Sequence, residues 1–132
     1  MADGADSERR RFEQLLDSLY AARIGGELEP LVRLFAADAR FRISGSSDGK
    51  PIAISAQGAT QIGGWLAVLL KSFNLSRFEV LSRVIDGREA AVHWRVSIHS
   101  RITGASVATE LIDVVEMRAG KIGSYVEFFA PM

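Results

Sequence analysis

Two residues, Asp113 and Tyr20, have the types and positions that could do chemistry. In residues 109–117 every second side chain shares one face of a strand, and the face that holds Asp113 is otherwise mostly apolar. An ionised carboxylate there is costly to desolvate, so it has a cationic partner, carries a raised pKa, or does chemistry. We expect Asp113 to face an apolar cavity, to have a raised pKa and to act as an acid/base group. A salt-bridged or edge-exposed aspartate is the alternative.

Tyr20 is placed to assist such a group. It follows Phe12 and Leu16 at helical spacing, so its ring can join the core while its hydroxyl reaches a pocket. The alternative is an amphipathic tyrosine at the edge of the core.

The apolar residues that could surround a ligand come from several segments. In residues 89–100 the alternation puts Trp94 on an apolar face and both histidines on the opposite, polar face. The candidate ligand-binding residues are Phe41, Trp65, Trp94, Val96, Ile98, Leu111, Val115 and Phe129. The same residues could instead fill the core, which would leave no room for a ligand.

We do not expect the two histidines to form a metal site. His93 and His99 are six residues apart, about 20 Å along a strand, so they cannot share a metal ion unless the chain bends. The sequence contains no cysteine, which removes thiolate nucleophiles and zinc-thiolate sites. We expect no metal, and a solvated or interfacial polar face around the histidines.

Length and charge narrow the class of protein. The 132 residues predict one domain, residues 1–132. Sixteen basic and sixteen acidic residues cancel, so there is no overall basic field to attract nucleic acid or an anionic membrane. The polar N-terminal segment lacks the apolar core of a signal peptide, and residues 65–70 are too short to cross a bilayer. We therefore expect a cytoplasmic location.

The hydrophobic pattern changes from helical to alternating along the chain. Helical spacing predicts helices from Ser7 to the Gly25-Gly26 pair, over residues 28–37 and around residues 62–73. A short strand at residues 41–43 and a loop at 45–51 lie between the last two helices. Alternation predicts strands over residues 77–85, 89–100, 106–117 and 122–129, with turns at Asp86-Gly87, Thr103-Gly104 and Ala119-Gly120. Helices followed by a meander of strands predict an α+β fold, with helices covering one face of a curved sheet.

Two segments resemble signatures of the NTF2-like superfamily. They are GGELEPLVRLFAADARF, residues 25–41, and ELIDVVEMRAGKI, residues 110–122, and the likeness extends from about Phe12 to Phe129. The resemblance implies a cone in which a curved, mostly antiparallel mixed sheet packs against three helices, as in cystatin-like folds. The two most similar branches are the ketosteroid isomerase-like proteins and the SnoaL-like polyketide cyclases, which are usually dimeric.

The resemblance also bears on the site. Asp113 falls where the isomerases hold a protonated aspartic acid and where the cyclases have an acid/base aspartate. The isomerase general base would fall near Ile43, which offers no carboxylate, and the isomerase tyrosine would fall on Leu19, one residue from Tyr20. The histidine of the cyclases is not matched by His99. The chain thus departs from the pattern needed for steroid isomerisation.

Three functions follow from these observations. The first is an enzyme that isomerises or cyclises a small apolar carbonyl compound, with Asp113 as proton donor or acceptor, Tyr20 as auxiliary donor and no cofactor, because such proton transfer requires only positioned acids, bases and dipoles. The second is a ligand-binding module without catalysis, and the third is a dimerisation domain with a filled cone. We expect a homodimer formed through the outer sheet face, which would carry Ile112, Val114, His93 and Arg95.

Overall fold

Three helices precede most of a six-stranded sheet. The computed structural model describes residues 3–47 and 49–131. Its helices are α1 (Asp3–Ile24), α2 (Leu28–Arg33) and α3 (Ala59–Ser72). Its strands are β1 (Phe35–Ser47), β2 (Lys50–Gln57), β3 (Phe73–Asp86), β4 (Glu89–Ser100), β5 (Ser106–Arg118) and β6 (Lys121–Pro131). Within the described ranges, no helix combines the length and the apolar character needed to cross a membrane.

The strands form one mixed sheet in the order β2-β1-β6-β5-β4-β3. Every neighbouring pair is antiparallel except β1 and β6, which run parallel. The helices and the inner face of the sheet enclose the core, and the opposite face of the sheet remains open. The predicted α+β fold with a mixed sheet and three helices is confirmed.

The predicted faces of the main strands are correct. On β4 the buried side chains include Val92, Trp94 and Val96, and on β5 they include Leu111, Asp113 and Val115. The predicted apolar stripe of α1 is also buried; it consists of Phe12, Leu15, Leu16, Leu19 and Ala22. The three predicted turns fall at the three hairpins, although Asp86 is the last residue of β3 and the first turn is Gly87-Arg88.

The region between α2 and α3 differs from the sequence prediction. Helix α2 ends at Arg33, before the predicted end at residue 37, because Phe35 already pairs with Ile122 of β6. The predicted loop 45–51 is instead the end of β1, a turn and the start of β2, although residue 48 lies outside the described residues. Strand β2 was not predicted because it is an edge strand, where Pro51 is tolerated and few side chains are buried.

Two helix predictions also need correction. Helix α1 begins at Asp3, before the predicted cap at Ser7. Trp65 keeps the helical spacing of α3 but is 40% exposed, so its prediction as a core residue is wrong. Helix α3 buries Ile62 and Leu66 against the sheet, and Trp65 lies next to Leu66 on a different side of the helix.

Candidate functional site

Asp113 lies at the centre of a buried polar cluster. Its side chain points inward from β5 and is 0% exposed. Three groups surround its Oδ2 atom: the Tyr20 hydroxyl at 2.6 Å, the Trp94 indole Nε1 at 2.8 Å and the Tyr125 hydroxyl at 2.9 Å. The indole N–H donates to this oxygen, and the phenols can do so as well. Asp113 therefore belongs to a packed hydrogen-bond network and does not face the apolar cavity that the sequence predicted.

Helix α1 contributes Tyr20 as predicted. The Tyr20 ring stacks on Phe78 of β3 at 5.6 Å and meets the edge of Trp94 at 5.4 Å. These aromatic contacts fix the ring, so the hydroxyl is held against Asp113 without a further polar partner. The structure thus brings together the two residues that were predicted to be catalytic.

Three members of the cluster were not predicted. Arg23, one turn beyond Tyr20 on α1, forms an ion pair with Glu127 of β6 and donates a hydrogen bond to the Tyr125 hydroxyl at 2.6 Å. Tyr125 also lies 2.8 Å from Oε1 of Glu127. Arg23 packs over the Trp94 ring at 5.3 Å. The helical spacing of Arg23 from Tyr20 was a usable signal, because residues three apart share a helix face.

A β-bulge determines that Glu127 points inward. Near the turn Met117 pairs with Ile122, but Glu116 pairs with Ser124, so Gly123 is an extra residue on β6. A bulge of this kind moves every later side chain to the other face. Without it Glu127 would point outward, whereas in the structure it lies directly opposite Asp113.

Gly123 suits the bulge because there is little room beside it. A Cβ atom at this position would lie 3.0 Å from Oε1 of Glu116 and 3.2 Å from Cβ of Arg118. The presence of a glycine two residues before Tyr125 was therefore the available sequence signal for the bulge.

The cluster holds two carboxyl groups and one guanidinium. Burial raises the pKa of Asp113 well above its usual value and the nearby Glu127 raises it further, while Arg23 and the hydrogen bonds from Tyr20 and Tyr125 act in the opposite direction. If Asp113 is protonated, Glu127 and Arg23 balance each other and the cluster is neutral. A buried net charge is costly, so this proton state is the favourable one.

The two phenols and the guanidinium of the cluster keep their protons. Burial raises the pKa of both Tyr20 and Tyr125, so both phenols are protonated at neutral pH. Burial alone would lower the pKa of Arg23, but Glu127 and Tyr125 raise it above its usual value. The guanidinium therefore stays charged.

One oxygen of Asp113 has no protein partner. Among the described residues, Oδ1 of Asp113 and Oγ1 of Thr109 are the buried side-chain polar atoms without a hydrogen bond. An unpaired oxygen is more costly on a carboxylate than on a neutral acid. A proton on Oδ2 would have acceptors in the two phenols, whereas one on Oδ1 would have none.

A cleft reaches the cluster at Tyr20. This α1 cleft has a volume of about 520 Å³. It is lined by Asp17, Tyr20, Ala21, Ile24, Gly25, Phe78, Val80, Arg83 and Val92, from α1, β3 and β4. Asp113 does not line it. Tyr20 belongs to both the cleft and the cluster and is the link between them.

The predicted ligand-binding residues lie outside the α1 cleft. Phe41, Trp94, Val96, Leu111 and Val115 are buried in the core, and Ile98 and Phe129 are half-buried beside it. Leu111 and Phe129 also border a second cleft, of about 330 Å³, which includes His93 and Phe128. Trp65 lines neither cleft. A role for these residues in ligand binding stays a prediction.

The histidines have separate partners on the sheet. His93 forms a hydrogen bond with Glu110, and Nδ1 of His99 lies 2.8 Å from the Ser106 hydroxyl. Over residues 3–47 and 49–131, no group of three or more His, Asp or Glu side chains is arranged to hold a metal ion.

The model of the SnoaL-like domain matches residues 16–125 of this sequence. The chain belongs to the SnoaL-like family. This match includes the Tyr20, Asp113 and Tyr125 positions of the cluster, whereas Glu127 lies two residues beyond its end. No curated protein matches the sequence.

Solved structures support the same fold. An NTF2-like protein from Burkholderia xenovorans has a TM-score of 0.76 at 17% identity, covering 92% of the SnoaL-like chain and 90% of its own. The epoxide hydrolase/cyclase-like enzyme SalBIII, which has a role in pyran ring formation in the polyether salinomycin, has a TM-score of 0.73 at 17% identity. The likeness covers 93% of the SnoaL-like chain and 92% of SalBIII. An LEH-like epoxide hydrolase from M. tuberculosis has a TM-score of 0.68 at 11% identity, covering 89% of the SnoaL-like chain and 80% of its own. The NTF2-like fold is thereby confirmed.

Proposed function

We propose that this SnoaL-like protein binds a small, largely apolar carbonyl compound in the α1 cleft and performs acid/base chemistry of the isomerase or cyclase type on it. The observation that carries the proposal is the 2.6 Å hydrogen bond between Tyr20, which lines the cleft, and the buried Asp113. Tyr20 is the group that contacts the ligand, and Asp113 supplies the proton behind it.

The lining of the cleft favours an apolar ligand. Ile24, Phe78, Val80 and Val92 present hydrocarbon surface, and the Tyr20 ring adds an aromatic one. Charge is contributed by Asp17 and Arg83, which pair with each other at 2.9 Å. An apolar site with few polar groups is the usual arrangement for a small organic ligand.

The proton transfer follows from the protonated state of Asp113. Asp113 donates its Oδ2 proton to the Tyr20 oxygen, while Tyr20 passes its own proton to the carbonyl oxygen of the ligand. The C–H bond beside the polarised carbonyl then loses its proton to solvent, which produces an enol. Protonation of a different carbon of a conjugated enol by solvent completes an isomerisation. Attack of the enol carbon on a second carbonyl, whose oxygen takes a proton from solvent, completes a cyclisation. In both cases the enol O–H returns its proton to Tyr20 while Tyr20 returns one to Asp113, which restores the starting proton state.

The relatives support this class of chemistry. Two of them are described as an epoxide hydrolase and as an epoxide hydrolase/cyclase-like enzyme. Both names describe reactions at a ring oxygen, which a positioned acid assists. A group that delivers a proton to a ligand oxygen is consistent with both.

The proposal is tested with α-tetralone, an apolar bicyclic ketone, in D₂O. The protein should accelerate deuterium incorporation at the carbon beside the carbonyl, as followed by proton NMR. Tyr20→Phe and Asp113→Asn should still bind the ketone, seen as chemical-shift changes, but lose the acceleration by about 10²-fold or more. Asp38→Asn, a change at an exposed aspartate, is the matched control and should exchange at the wild-type rate.

A non-catalytic binding module is the second candidate. It is favoured by the complete burial of Asp113, whose Oδ2 atom already has three neighbours. In that case the ketone would bind in the α1 cleft while deuterium incorporation remained at the rate of buffer alone. This result would exclude catalysis on such ketones and retain the binding site.

A further inference from the structure

The hydroxyl of Tyr125 lies between two carboxyl groups and has only one proton to give. Its oxygen is 2.9 Å from Oδ2 of Asp113 and 2.8 Å from Oε1 of Glu127. Both separations suit an O–H to carboxylate hydrogen bond, but a phenol cannot donate to both at once. The acceptor must therefore depend on which carboxyl group is charged.

Arg23 holds the oxygen in this position. It donates to the Tyr125 oxygen at 2.6 Å, and its second nitrogen, Nη2, donates to Oε2 of Glu127 at 3.1 Å. The Tyr125 ring is stacked on Phe41 at 5.5 Å, which restricts its movement. The Tyr125 oxygen is thus fixed, whereas its hydroxyl hydrogen can still rotate about the C–O bond.

The charged and titratable groups around Asp113 come from two elements. Helix α1 contributes Tyr20 and Arg23, and β6 contributes Tyr125 and Glu127. The contact from β4 is the neutral indole of Trp94. Loss of the Asp113 proton leaves two carboxylates facing one guanidinium, so the new negative charge needs an additional donor.

We propose that Tyr125 is a positioning residue whose single hydroxyl proton points to Glu127 when Asp113 is protonated and turns to Asp113 when that carboxyl group is ionised. The turn breaks one hydrogen bond and forms another, and no proton leaves the phenol. Arg23 compensates Glu127 when the phenol turns away from it. Asp113 can then lose its proton to Tyr20 and regain it, because each ionised carboxylate of the cluster always has a hydrogen-bond donor.

This inference rests on the proposed function for its purpose, but it can be tested without any ligand. The carboxyl carbon of Asp113 is titrated by carbon-13 NMR in the wild type and two variants. Tyr125→Phe removes a donor that serves only the ionised form, so the Asp113 midpoint should rise. Glu127→Gln removes the opposing negative charge and leaves Arg23 free to compensate Asp113, so the midpoint should fall, by about 1 to 3 pH units.

A double variant protects the test against misfolding. Glu127→Gln alone leaves a buried guanidinium unpaired, which is destabilising. Arg23→Gln combined with Glu127→Gln removes both charges, and the Asp113 midpoint should then stay above the value of about 3.9 found for a solvated aspartate. Asp38→Asn is the matched control and should leave the midpoint unchanged.

An Asp113 midpoint that rises in Tyr125→Phe and falls in Glu127→Gln supports the proposed change of hydrogen-bond acceptor by Tyr125, which we call the switch. An Asp113 midpoint that does not move in folded Tyr125→Phe would mean that the phenol always donates to Glu127, and the proposal would be wrong. If ketone exchange is observed, its loss at high pH should move upward in Tyr125→Phe and downward in Glu127→Gln. Absence of exchange with the expected NMR shifts would reject the enzyme function and retain the switch.

Discussion

At the scale of single residues, Asp113 is a buried acid whose surroundings favour its neutral form. Its three neighbours on Oδ2 would normally favour the ionised form, but burial and the charge of Glu127 outweigh them and raise its pKa. Because the pKa is raised, the folded protein retains a proton that the unfolded chain releases. The free energy of unfolding therefore depends on pH.

We predict that Asp113→Asn changes the pH dependence of stability. The folded-state pKa is raised above 3.8, the usual value for an aspartate. The stabilisation that Asp113 contributes is therefore fully present below about pH 3.8. It then falls by about 1.4 kcal/mol per pH unit until the pH passes the folded-state pKa. Asparagine does not titrate, so the variant should gain stability relative to wild type as the pH rises. Urea titrations between pH 5 and 8 measure the difference.

A variant at an exposed aspartate provides the control for this measurement. Asp38 pairs with Arg118 at the surface, and Asp38→Asn should show the slope of the wild-type protein. Parallel curves for Asp113→Asn and wild type would mean that Asp113 is ionised in the folded state, and the neutral acid would then be excluded.

At the scale of elements, strand β4 has one face buried in the core and one face on the outer side of the sheet. Trp94 is 0% exposed and donates its indole N–H to Asp113, whereas the His93 side chain is 36% exposed and pairs with Glu110. Adjacent residues on one strand therefore have different contributions to stability, because successive side chains point to opposite faces.

We predict that Trp94→Ala lowers the free energy of unfolding by about 3 to 5 kcal/mol, since it leaves a cavity in the core and removes a hydrogen bond. His93→Ala should cost less than about 1 kcal/mol, because its side chain is partly exposed and its one polar contact, with Glu110, lies at the surface. Chemical denaturation of the two variants at the same pH checks the difference. Equal losses would contradict the assignment of Trp94 and His93 to different faces.

At the scale of the whole molecule, the outer sheet face carries apolar side chains that the described residues leave exposed. Ile112, Val114 and Phe128 on β5 and β6 are 44%, 37% and 43% exposed. Val84 on β3 is also exposed, and Arg95 and Glu79 pair at the margin of this face. A sheet face of this composition is suited to pack on the same face of a second copy around a two-fold axis.

We predict a homodimer that forms through this face. Sedimentation velocity at micromolar concentration should give the mass of two chains for the wild type, and Ile112→Lys should give that of one. Ile102→Lys is the matched control, because Ile102 is 78% exposed in the turn between β4 and β5. A wild-type monomer at this concentration would contradict the prediction.

The sequence by itself determined the features that depend on local periodicity. The alternation in β4 and β5 specified which side chains are buried, including Asp113 and Trp94, and the helical spacing of α1 placed Tyr20 at the core. Glycine-containing turns specified the hairpins. These features were predictable because the side-chain direction follows directly from the local backbone geometry.

Only the tertiary structure decided which polar groups meet. The bulge at Gly123 turned Glu127 toward Asp113, and the packing of α1 across the sheet brought Arg23 to both Glu127 and Tyr125. The extent of β1 and the presence of β2 likewise depend on pairing with β6 and with each other. The contacts of Arg23 with Tyr125 and Glu127 join residues 102 and 104 positions apart, so no local pattern could specify them.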